Sequence, residues 1–585
     1  MKKIFILVLL LFLISCKKNS YNHINYLKNT QLLILNNYNK LIKEANKLAH
    51  LTKHNATQDE LKKQFIITRL AFKTCEEFIA FYFPSTFTKI NGAPINENDL
   101  NDSNRKIEDA TGFQVVEETL FDKKLNRQEA IQNTATLQSY IQTLELQIQT
   151  IQLTDRSIFE IQKLQLIRII SLGISGFDSA IALQSLAETK SALKGIQSYI
   201  NCFSFEEKLN KKIAQSIQFI NQNQDFNSFN RAVFIVKYIK PIFEEINHIQ
   251  QKLNIKNNSF ISAIDFSKNS PFEKGAFNVN YFAPFYNRNP SKAQIALGKE
   301  LFYDKILSGN QAVSCASCHI PEIGYADHKT TAVNHIANSR NTPTLLNSAL
   351  QNNLFVDGRV VYLEDQAKAV INNKNEMHGS FKTALAKINS NPTYIQKFKK
   401  VFLNEKVVRE QHVLKSLASF IRTLAPLNSR FDNYLQGTAS LTSNETKGFN
   451  LFMGKGKCAT CHFFPLFNGS VPPLYQKMES EVLGVPTKPN VPSLDPDLGE
   501  YLITQAPLKK YAFKTPTVRN AAITFPYMHN GHFKTLEEVL IFYNKGGGKG
   551  LGIHLKNQTL PEDNLNLSKQ DIKDLISFIK TLNDI

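Results

Sequence analysis

The sequence predicts an all-α protein in which a long helical region precedes two smaller, related modules. Apolar residues recur at helical spacing from about Asn22 to Lys252, and this stretch contains few internal prolines. An internal repeat occupies most of residues 290–585. At about 150 residues per domain, a chain of 585 residues corresponds to three or four domains, and its 42% hydrophobic content is enough to give each a core.

Residues 1–16 have the pattern of an export signal. Two lysines precede an apolar run from Ile4 to Ile14, which is too short to span a bilayer. The ending Leu13-Ile14-Ser15-Cys16 resembles a bacterial lipobox, so Cys16 is the predicted lipidation site, and a simple secretory signal is the alternative. We therefore expect a periplasmic protein that is anchored to the membrane only through a lipid on Cys16.

Residues 20–253 are predicted to form a helical bundle domain. Residues 254–289, rich in Asn, Ser and Phe without clear periodicity, are predicted to be a linker. Inside the bundle, the segment from Gly112 to Glu117 resembles the G-x-H-x-x-E motif of imelysin-like helical domains, with Gln114 in place of the histidine. An ordinary helix start with a buried polar pair explains the same residues, and the missing imidazole would weaken any metal site.

The charge distribution argues against one class of partner, and two cysteines leave a disulfide open. The 69 basic and 50 acidic residues give a net charge of +19, but the excess is spread along the chain without a polybasic tail, so we predict no nucleic-acid partner. The cysteines at 75 and 202 stand apart from every motif. An exported protein permits a disulfide between Cys75 and Cys202, and two buried free thiols are the alternative.

The repeat defines two tandem modules, which we place at residues 290–435 and 436–585. It appears when the segment Asn341-Thr342-Pro343-Thr344-Leu345 is aligned with Lys514-Thr515-Pro516-Thr517-Val518. The alignment continues without gaps, so that Asp357-Gly358 falls on Asn530-Gly531. Upstream, each copy has a Leu-Phe helix followed by a C-x-x-C-H motif.

The C-x-x-C-H motifs predict two covalently bound haem c groups. They are Cys315-Ala316-Ser317-Cys318-His319 and Cys458-Ala459-Thr460-Cys461-His462. Two thiols three residues apart can form thioethers with the two vinyl groups of one haem, and the adjacent histidine can bind the iron. A zinc knuckle or a redox dithiol is disfavoured because neither module contains further cysteine ligands.

Residues 290–585 resemble the bacterial di-haem cytochrome c peroxidase and MauG-like family over essentially their full length. Apart from the two haem motifs, the matching segments are, in order, Leu297–Phe302, Arg340–Thr344, Asp357–Arg359, Leu363–Gln366, Phe420–Leu424, Asn428–Asp432, Phe513–Thr517 and Tyr527–Gly531. The resemblance implies two cytochrome c-like modules that face each other.

The resemblance makes the first haem peroxidatic, with His319 as its proximal ligand. Breaking the O–O bond of a peroxide requires a group that moves a proton between its oxygens. Glu376 matches the family's distal acid and Gln366 its hydrogen-bonding neighbour. His335 matches the histidine that caps this iron in oxidised peroxidases, and His328 is a competitor for that role.

The second haem, with His462 as proximal ligand, would store electrons. The position that matches the methionine ligand of typical peroxidases is Tyr543, as in MauG-like members with a tyrosinate ligand. Met528, Met453, a water or no ligand are the alternatives. An anionic oxygen donor would lower the potential of the haem. Val356 is a second departure, because the family usually places a tryptophan there, between the haems.

The resemblance further implies one Ca²⁺ ion between the modules, held by Asn341, Thr524 and Pro526 through the oxygen donors that this ion prefers. Turn residues near prolines are the alternative explanation. The leading functional prediction is a peroxidase that takes electrons from a small cytochrome c or copper protein. A MauG-like oxidase of a protein substrate and a non-enzymatic di-haem electron carrier are the alternatives, and a homodimer is kept open.

Overall fold

The computed structural model describes residues 18–203, 206–331, 340–403 and 405–584, with side chains from residue 25 onward. Helices dominate its regular structure, and the strands within these ranges form two short antiparallel pairs. The predicted all-α class is therefore confirmed. No helix in the described part of the chain is long and apolar enough to cross a membrane.

The described residues divide into two compact units. The first, called the helical unit, contains the described residues up to Ile95 together with Asp109–Phe260. The second, called the haem-motif unit, contains Asn96–Glu108 and the described residues from Ile261 onward. The residues predicted as a linker, 254–289, are thus shared between the units, and a short segment from within the predicted bundle joins the second unit.

The helical unit consists of helices joined by short connections. In chain order they are α1 (Lys18–Lys53), α2 (Gln58–Phe72), α3 (Glu76–Tyr82), α4 (Pro84–Asn91), α5 (Phe113–Phe121), α6 (Arg127–Thr143), α7 (Glu145–Gln149), α8 (Asp155–Arg168), α9 (Ser185–Asn201), α10 (Glu207–Gln222), α11 (Arg231–Phe234) and α12 (Lys240–Lys252). Single π-helical turns at Ile169–Gly173 and Ile235–Ile239 continue α8 and α11. A buried ion pair between Arg69 and Glu188, 2.7 Å apart, links α2 to α9.

The haem-motif unit contains shorter helices and both strand pairs. Its elements are β1 (Glu97–Asn98), β2 (Ile107–Glu108), α13 (Lys292–Tyr303), α14 (Leu363–Asn372), α15 (Phe381–Asn389), α16 (Pro392–Val401), α17 (Glu410–Arg422), α18 (Arg430–Gln436), α19 (Ser443–Met453), β3 (Ser480–Val482), α20 (Tyr501–Thr504), β4 (Ala512–Lys514), α21 (Leu536–Asn544), α22 (Gly547–Gly550) and α23 (Lys569–Lys580). Several of these helices begin with a capping box, as at Ser568 and Asp571, where the side chain of each residue accepts a hydrogen bond from the backbone N–H of the other.

The β1–β2 hairpin binds the second module although it lies between helices α4 and α5 in the chain. Arg105 donates from Nε to the carbonyl oxygen of Thr504 at 2.9 Å, and the backbone N–H of Leu508 donates to Asn98 Oδ1 at 3.0 Å. Lys477 and Glu97 add an exposed ion pair at 2.8 Å. These long-range contacts are the reason that Asn96–Glu108 belongs to the haem-motif unit, which sequence periodicity did not predict.

Each module is built on one close helix crossing at a glycine. In the first module α13 packs against α17, and a Cβ on Gly298 would lie 1.8 Å from the carbonyl oxygen of Ser416. In the second module α19 packs against α23, and a Cβ on Gly448 would lie 2.0 Å from the carbonyl oxygen of Asp574. These glycines precede the Leu-Phe pair of each repeat by the same spacing. The two modules therefore share a crossing that only a residue without a side chain permits.

Two buried ion pairs each join residues that are far apart in the sequence. Arg422 donates to both carboxylate oxygens of Glu364, at 3.0 and 2.7 Å. Arg519 donates to both carboxylate oxygens of Asp432, at 2.8 and 2.7 Å. Such two-pronged geometry is the strong form of a carboxylate–guanidinium contact. The Leu363–Gln366 and Phe420–Leu424 motifs are thus two halves of one buried contact.

We expect Gly298→Ala and Gly448→Ala each to destabilise the module that contains it by about 1–3 kcal/mol, because the new methyl group would force the crossing helices apart. Chemical unfolding, monitored through the visible absorbance of the haem bound to the haem-motif unit, measures this loss of stability. Gly173→Ala is the matched control, since its Cβ would meet nothing closer than Thr189 Oγ1 at 3.5 Å. Equal unfolding midpoints for all three variants would contradict the prediction.

Candidate functional site

The first C-x-x-C-H motif forms a tight turn beside the core of the first module. Cys315–Ser317 is a single 3₁₀ turn, and the backbone N–H of His319 donates to the carbonyl oxygen of Cys315 at 2.9 Å. Both thiols of the motif are free and partly buried. The imidazole Nδ1 of His319 lies 3.1 Å from the carbonyl oxygen of Tyr325, and Pro343 provides a second backbone acceptor.

The second motif repeats this geometry. Cys458–Thr460 forms the 3₁₀ turn, and the N–H of His462 donates to the carbonyl oxygen of Cys458 at 2.9 Å. His462 Nδ1 lies 2.9 Å from the carbonyl oxygen of Pro516, the residue that the repeat aligns with Pro343. The thiols of Cys458 and Cys461 are again free.

The two histidines are prepared for metal binding through Nε2. A carbonyl oxygen only accepts hydrogen bonds, so Nδ1 of each ring carries the proton and Nε2 keeps its lone pair. Burial lowers the pKa of His319, and it lowers that of His462 to about 4, against the opposing effect of the backbone acceptors. Both rings are therefore neutral at neutral pH. Together with the paired thiols, this donor set fits two haem c groups.

A pair of backbone hydrogen bonds joins the modules with local two-fold symmetry. The N–H of Asn341 donates to the carbonyl oxygen of His529 at 3.3 Å, and that of Lys514 donates to the carbonyl oxygen of Val356 at 2.8 Å. The repeat aligns Asn341 with Lys514 and Val356 with His529. The two bonds are therefore equivalent, and Val356 lies at the interface between the modules.

An aromatic stack stands on one side of this interface. The rings of Phe513 and His529 are parallel within 11°, with centroids 3.7 Å apart. His529 Nε2 lies 3.2 Å from Asp495 Oδ1, and hydrogen bonds from His529 and Asn530 hold the pKa of Asp495 at about 2. The side of the interface that holds Val356 contains no tryptophan, because the chain has none.

Glu376 lies just beyond helix α14, close to the first motif. Its Oε1 accepts a 2.6 Å hydrogen bond from Asn373 Nδ2, and its charge acts on the thiol of Cys318. Burial raises the pKa of the Glu376 carboxyl, while Asn373 and the positive charge of Arg359 act in the opposite direction. A half-buried carboxyl whose pKa is raised by burial is a candidate for proton transfer.

Gln366 lies on α14 and is partly buried. Because it precedes Asn373 by two helical turns, it shares the face from which Asn373 reaches Glu376. His335 lies outside the described residues. Its competitor, His328, is engaged elsewhere: its Nε2 is 2.9 Å from the carbonyl oxygen of Ile523, and its ring stacks on Phe525 at 3.9 Å.

A chain of ion pairs that no sequence pattern predicts runs from the neighbourhood of Glu376 to the second module. Arg359 donates to Asp357 Oδ2 at 2.7 Å, and Arg340 donates to the same oxygen at 2.5 Å. Arg340 also donates from Nε to Asp497 of the second module at 2.7 Å. The motifs Arg340–Thr344 and Asp357–Arg359 were recognised, but no sequence signal indicated that their charged side chains meet.

Tyr543 lies in α21 within electrostatic range of both cysteines of the second motif. Burial, with the thiols of Cys461 and Cys458 and the carboxyl of Glu481 acting in the same direction, raises its pKa above the ordinary range. Glu481 also shares a hydrogen bond with Cys461, and burial raises the pKa of its carboxyl. Tyr543 is therefore close to the second motif.

The rival ligands occupy different surroundings. Met528 has a positive φ of 64° and packs, partly buried, against the small cluster of Val485, Phe533 and Phe542. Met453 is fully buried at the last residue of α19. Glu481 was not recognised in the sequence, because a single glutamate in a short strand carries no motif.

The three residues predicted to hold calcium lie in loops that meet between the modules. Asn341 donates from Nδ2 to the carbonyl oxygen of Pro526 at 2.9 Å. Thr524, two residues earlier, donates from its hydroxyl to the carbonyl oxygen of Asn520 at 3.0 Å. A hard cation would need the amide and carbonyl oxygens of these residues, whereas the contacts in the structure turn the amide nitrogen of Asn341 to Pro526 and the hydroxyl of Thr524 to Asn520. Within the described ranges, no group of three or more His, Cys, Asp or Glu side chains could hold a metal ion.

The remaining predicted positions fall in or before the helical unit. Cys75 and Cys202 are both free thiols. Glu117 Oε1 accepts hydrogen bonds from Ser179 Oγ at 2.9 Å and from the backbone N–H of Ala182 at 2.6 Å, whereas Gln114 Nε2 has no hydrogen-bond partner among the described residues. The lipidation candidate Cys16 lies outside the described residues.

Comparison with known proteins identifies relatives of this chain. The sequence profile of the family described as di-haem cytochrome c peroxidase matches residues 292–440. Cytochrome-c peroxidase IdrP1 of Pseudomonas sp. (strain SCT) is 36% identical over 322 residues, which cover 51% of this chain and 83% of that protein. Cytochrome c551 peroxidase of Nitrosomonas europaea is 33% identical, covering 56% of this chain and 92% of that protein.

Methylamine utilization protein MauG of Methylorubrum extorquens is also 33% identical, covering 53% of this chain and 84% of that protein. The matches thus span most of each relative and about half of this chain. They agree with the two haem motifs of this chain. This chain belongs to the di-haem cytochrome c peroxidase and MauG family.

Proposed function

We propose that this protein is a di-haem cytochrome c peroxidase, which reduces hydrogen peroxide to two waters with two protons and two electrons from a small redox protein. The observation that supports this proposal best is the half-buried Glu376 carboxyl, held by Asn373 beside the first haem motif. An electron carrier needs no such group. The curated relatives named cytochrome-c peroxidases point to the same reaction.

The protein's own part in this reaction is proton transfer and orientation. Haem c, when bound by Cys315, Cys318 and His319, supplies the iron at which the O–O bond breaks. Glu376 takes the proton from the inner oxygen of the peroxide and delivers it to the outer oxygen, which leaves as water. Gln366, on the same side of α14, orients the peroxide by hydrogen bonding. His319 is held in place through its Nδ1–H.

The second haem motif is proposed to receive the electrons. Its histidine is fixed by Pro516, and two residues earlier the N–H of Lys514 donates to Val356 of the first module. The path between the modules therefore runs through backbone and hydrogen bonds rather than through an aromatic side chain at position 356. We propose a small cytochrome or copper protein as donor, on the family's pattern.

A MauG-like oxidase of a protein substrate is the second candidate. The observation that favours it is Tyr543, placed beside the cysteines of the second motif where a peroxidase would present a methionine. A tyrosinate ligand would stabilise the ferric state and so favour chemistry in which this haem is itself oxidised.

Further parts of the proposal concern location and calcium. We propose lipidation at Cys16 and a periplasmic location, based on the signal sequence and the covalent haem motifs. One Ca²⁺ is proposed at Asn341, Thr524 and Pro526, where loops of the two modules meet. The His335 assignment as a ligand that departs on activation also remains a proposal from the family pattern.

The paired variant Cys315→Ala/Cys318→Ala should retain one covalent haem where the unaltered protein carries two, because thioether attachment requires the motif thiols. Intact mass and haem staining after denaturation measure the number. Cys75→Ala is the control, since this buried thiol lies outside both motifs. Retention of two covalent haems in the paired variant would contradict covalent attachment at the first motif.

Glu376→Gln should lower the rate of peroxide reduction by about 10²–10⁴-fold, because the amide cannot accept the proton. The unaltered enzyme should lose activity as the pH falls through the raised pKa of Glu376, since only the ionised carboxylate receives a proton. Steady-state oxidation of a reduced cytochrome c measures both effects. The control is Glu322→Gln, an exposed acid just after the first motif; an equal loss in both variants would refute the role.

Tyr543→Met should raise the midpoint potential of the second haem, because a thioether ligand favours ferrous iron relative to an anionic oxygen. Spectroelectrochemical titration of the two haems measures the potentials separately. Met528→Leu, which keeps the size of the rival ligand and removes its sulfur, is the comparison variant. If Met528→Leu shifts the second potential and Tyr543→Met does not, the sulfur ligand is the correct one.

A further inference from the structure

The side chain of Asn373 is fixed at both of its polar ends. Asn373 is the residue after α14, and its carbonyl oxygen accepts hydrogen bonds from the N–H groups of Glu376 at 3.1 Å and Met377 at 2.9 Å. Its Oδ1 accepts the N–H of Asn375 at 3.0 Å, and its Nδ2 donates to Glu376 Oε1 at 2.6 Å. One residue thus contacts both the backbone and the carboxyl of Glu376.

These contacts decide which way the amide points. The N–H of Asn375 can only donate, so it requires the oxygen of the Asn373 amide. The amide nitrogen is consequently the atom that faces Glu376. The hydrogen bond that this N–H donates is stronger when the acceptor is negatively charged. It therefore favours the ionised carboxylate of Glu376 over the neutral acid.

Among the described neighbours of Glu376, Asn373 donates a hydrogen bond to the carboxyl, and the others act on it through burial or charge. Burial raises the pKa of the carboxyl, and the charge of Arg359 lowers it without a hydrogen bond between the two groups among the described contacts. The thiol of Cys318 senses the charge of Glu376, and it no longer titrates once it forms a thioether with haem. On the far side, the N–H of Gly309 donates to the carbonyl oxygen of Met377 at 2.7 Å, which anchors the segment.

We propose that Asn373 is a positioning residue for Glu376, which orients the carboxyl and keeps it ionised so that it can receive the proton of an incoming peroxide. This inference rests on the proposed peroxidase function. The balance of the step is simple: the O–H bond of the peroxide breaks, an O–H bond forms on Glu376, and Asn373 keeps its own protons. The amide acts only through Glu376.

The test compares Asn373→Asp with Asn375→Asp in the full-length, haem-loaded protein. Both substitutions replace an amide by a carboxylate of the same size, two residues apart, and the side chain of Asn375 is exposed. At position 373 the new carboxylate would meet that of Glu376 at hydrogen-bond distance, and two carboxylates so close share one proton. Optical titration with cyanide follows the effect without turnover, because hydrogen cyanide must give up its proton to bind as an anion.

We expect the pH midpoint that governs cyanide affinity in the peroxide-accessible redox state to rise by at least one unit in Asn373→Asp, a tenfold change in proton affinity. Asn375→Asp should shift it by less than about 0.3 unit, as expected for an exposed charge. The pH profile of kcat should move with the midpoint, while KM for the electron donor stays unchanged.

Equal shifts in the two variants, or no shift in Asn373→Asp while the protein keeps its visible spectrum and unfolding midpoint, would overturn the inference. Asn373→Ser, which is smaller and keeps a polar group, should give an intermediate midpoint. The proposed function fails separately if the unaltered, haem-loaded protein does not reduce peroxide with oxidation of a reduced cytochrome c. In that case a selective shift in Asn373→Asp would still show that Asn373 controls the ionisation of Glu376.

Discussion

The contact on which the arrangement of the haem-motif unit depends is the pair of backbone hydrogen bonds between its modules. Asn341 donates to His529, and Lys514 donates to Val356. Two residues beyond each donor is the proline whose carbonyl oxygen accepts from the proximal histidine. The same short segment therefore orients a haem ligand and joins the modules. A displacement at the interface would be transmitted directly to both imidazole rings.

This contact places no demand on the side chain of Val356, the position for which the resemblance to the family implies a tryptophan. The contact made at Val356 uses its carbonyl oxygen, which is independent of the side chain. The aromatic contribution at the interface comes instead from the stacked rings of Phe513 and His529 on the other side of the local two-fold axis. The geometry of the interface is thus preserved, while the side chain that could hold a radical at position 356 is lost.

The parts of the site that could be predicted from the sequence are those that form short motifs of neighbouring residues. The haem motifs were recognisable because thioether attachment sets their spacing, and the T-P-T segments because they repeat. Glu376 was recognisable only through the resemblance to the family. Asn373 and the chain from Arg359 to Asp497 were not, since single polar residues acquire a role only when tertiary folding brings them together. The β1–β2 hairpin escaped notice for a similar reason: two-residue strands have no periodicity to detect.

In the helical unit, a segment that resembles a family motif has an ordinary structural explanation. Its segment from Gly112 to Glu117 begins a helix, and Gly112 is required there because a Cβ would lie 2.4 Å from the carbonyl oxygen of Ile90. Glu117 holds the backbone of Ala182 and the hydroxyl of Ser179.

The ordinary structural interpretation of this motif therefore accounts for its glycine and its glutamate. The position that would carry the imidazole is instead occupied by the buried Gln114, whose neutral amide is a poor substitute as a metal ligand. The local contacts of Gly112 and Glu117 thus supply the ordinary explanation of this motif, and both C-x-x-C-H motifs lie in the haem-motif unit.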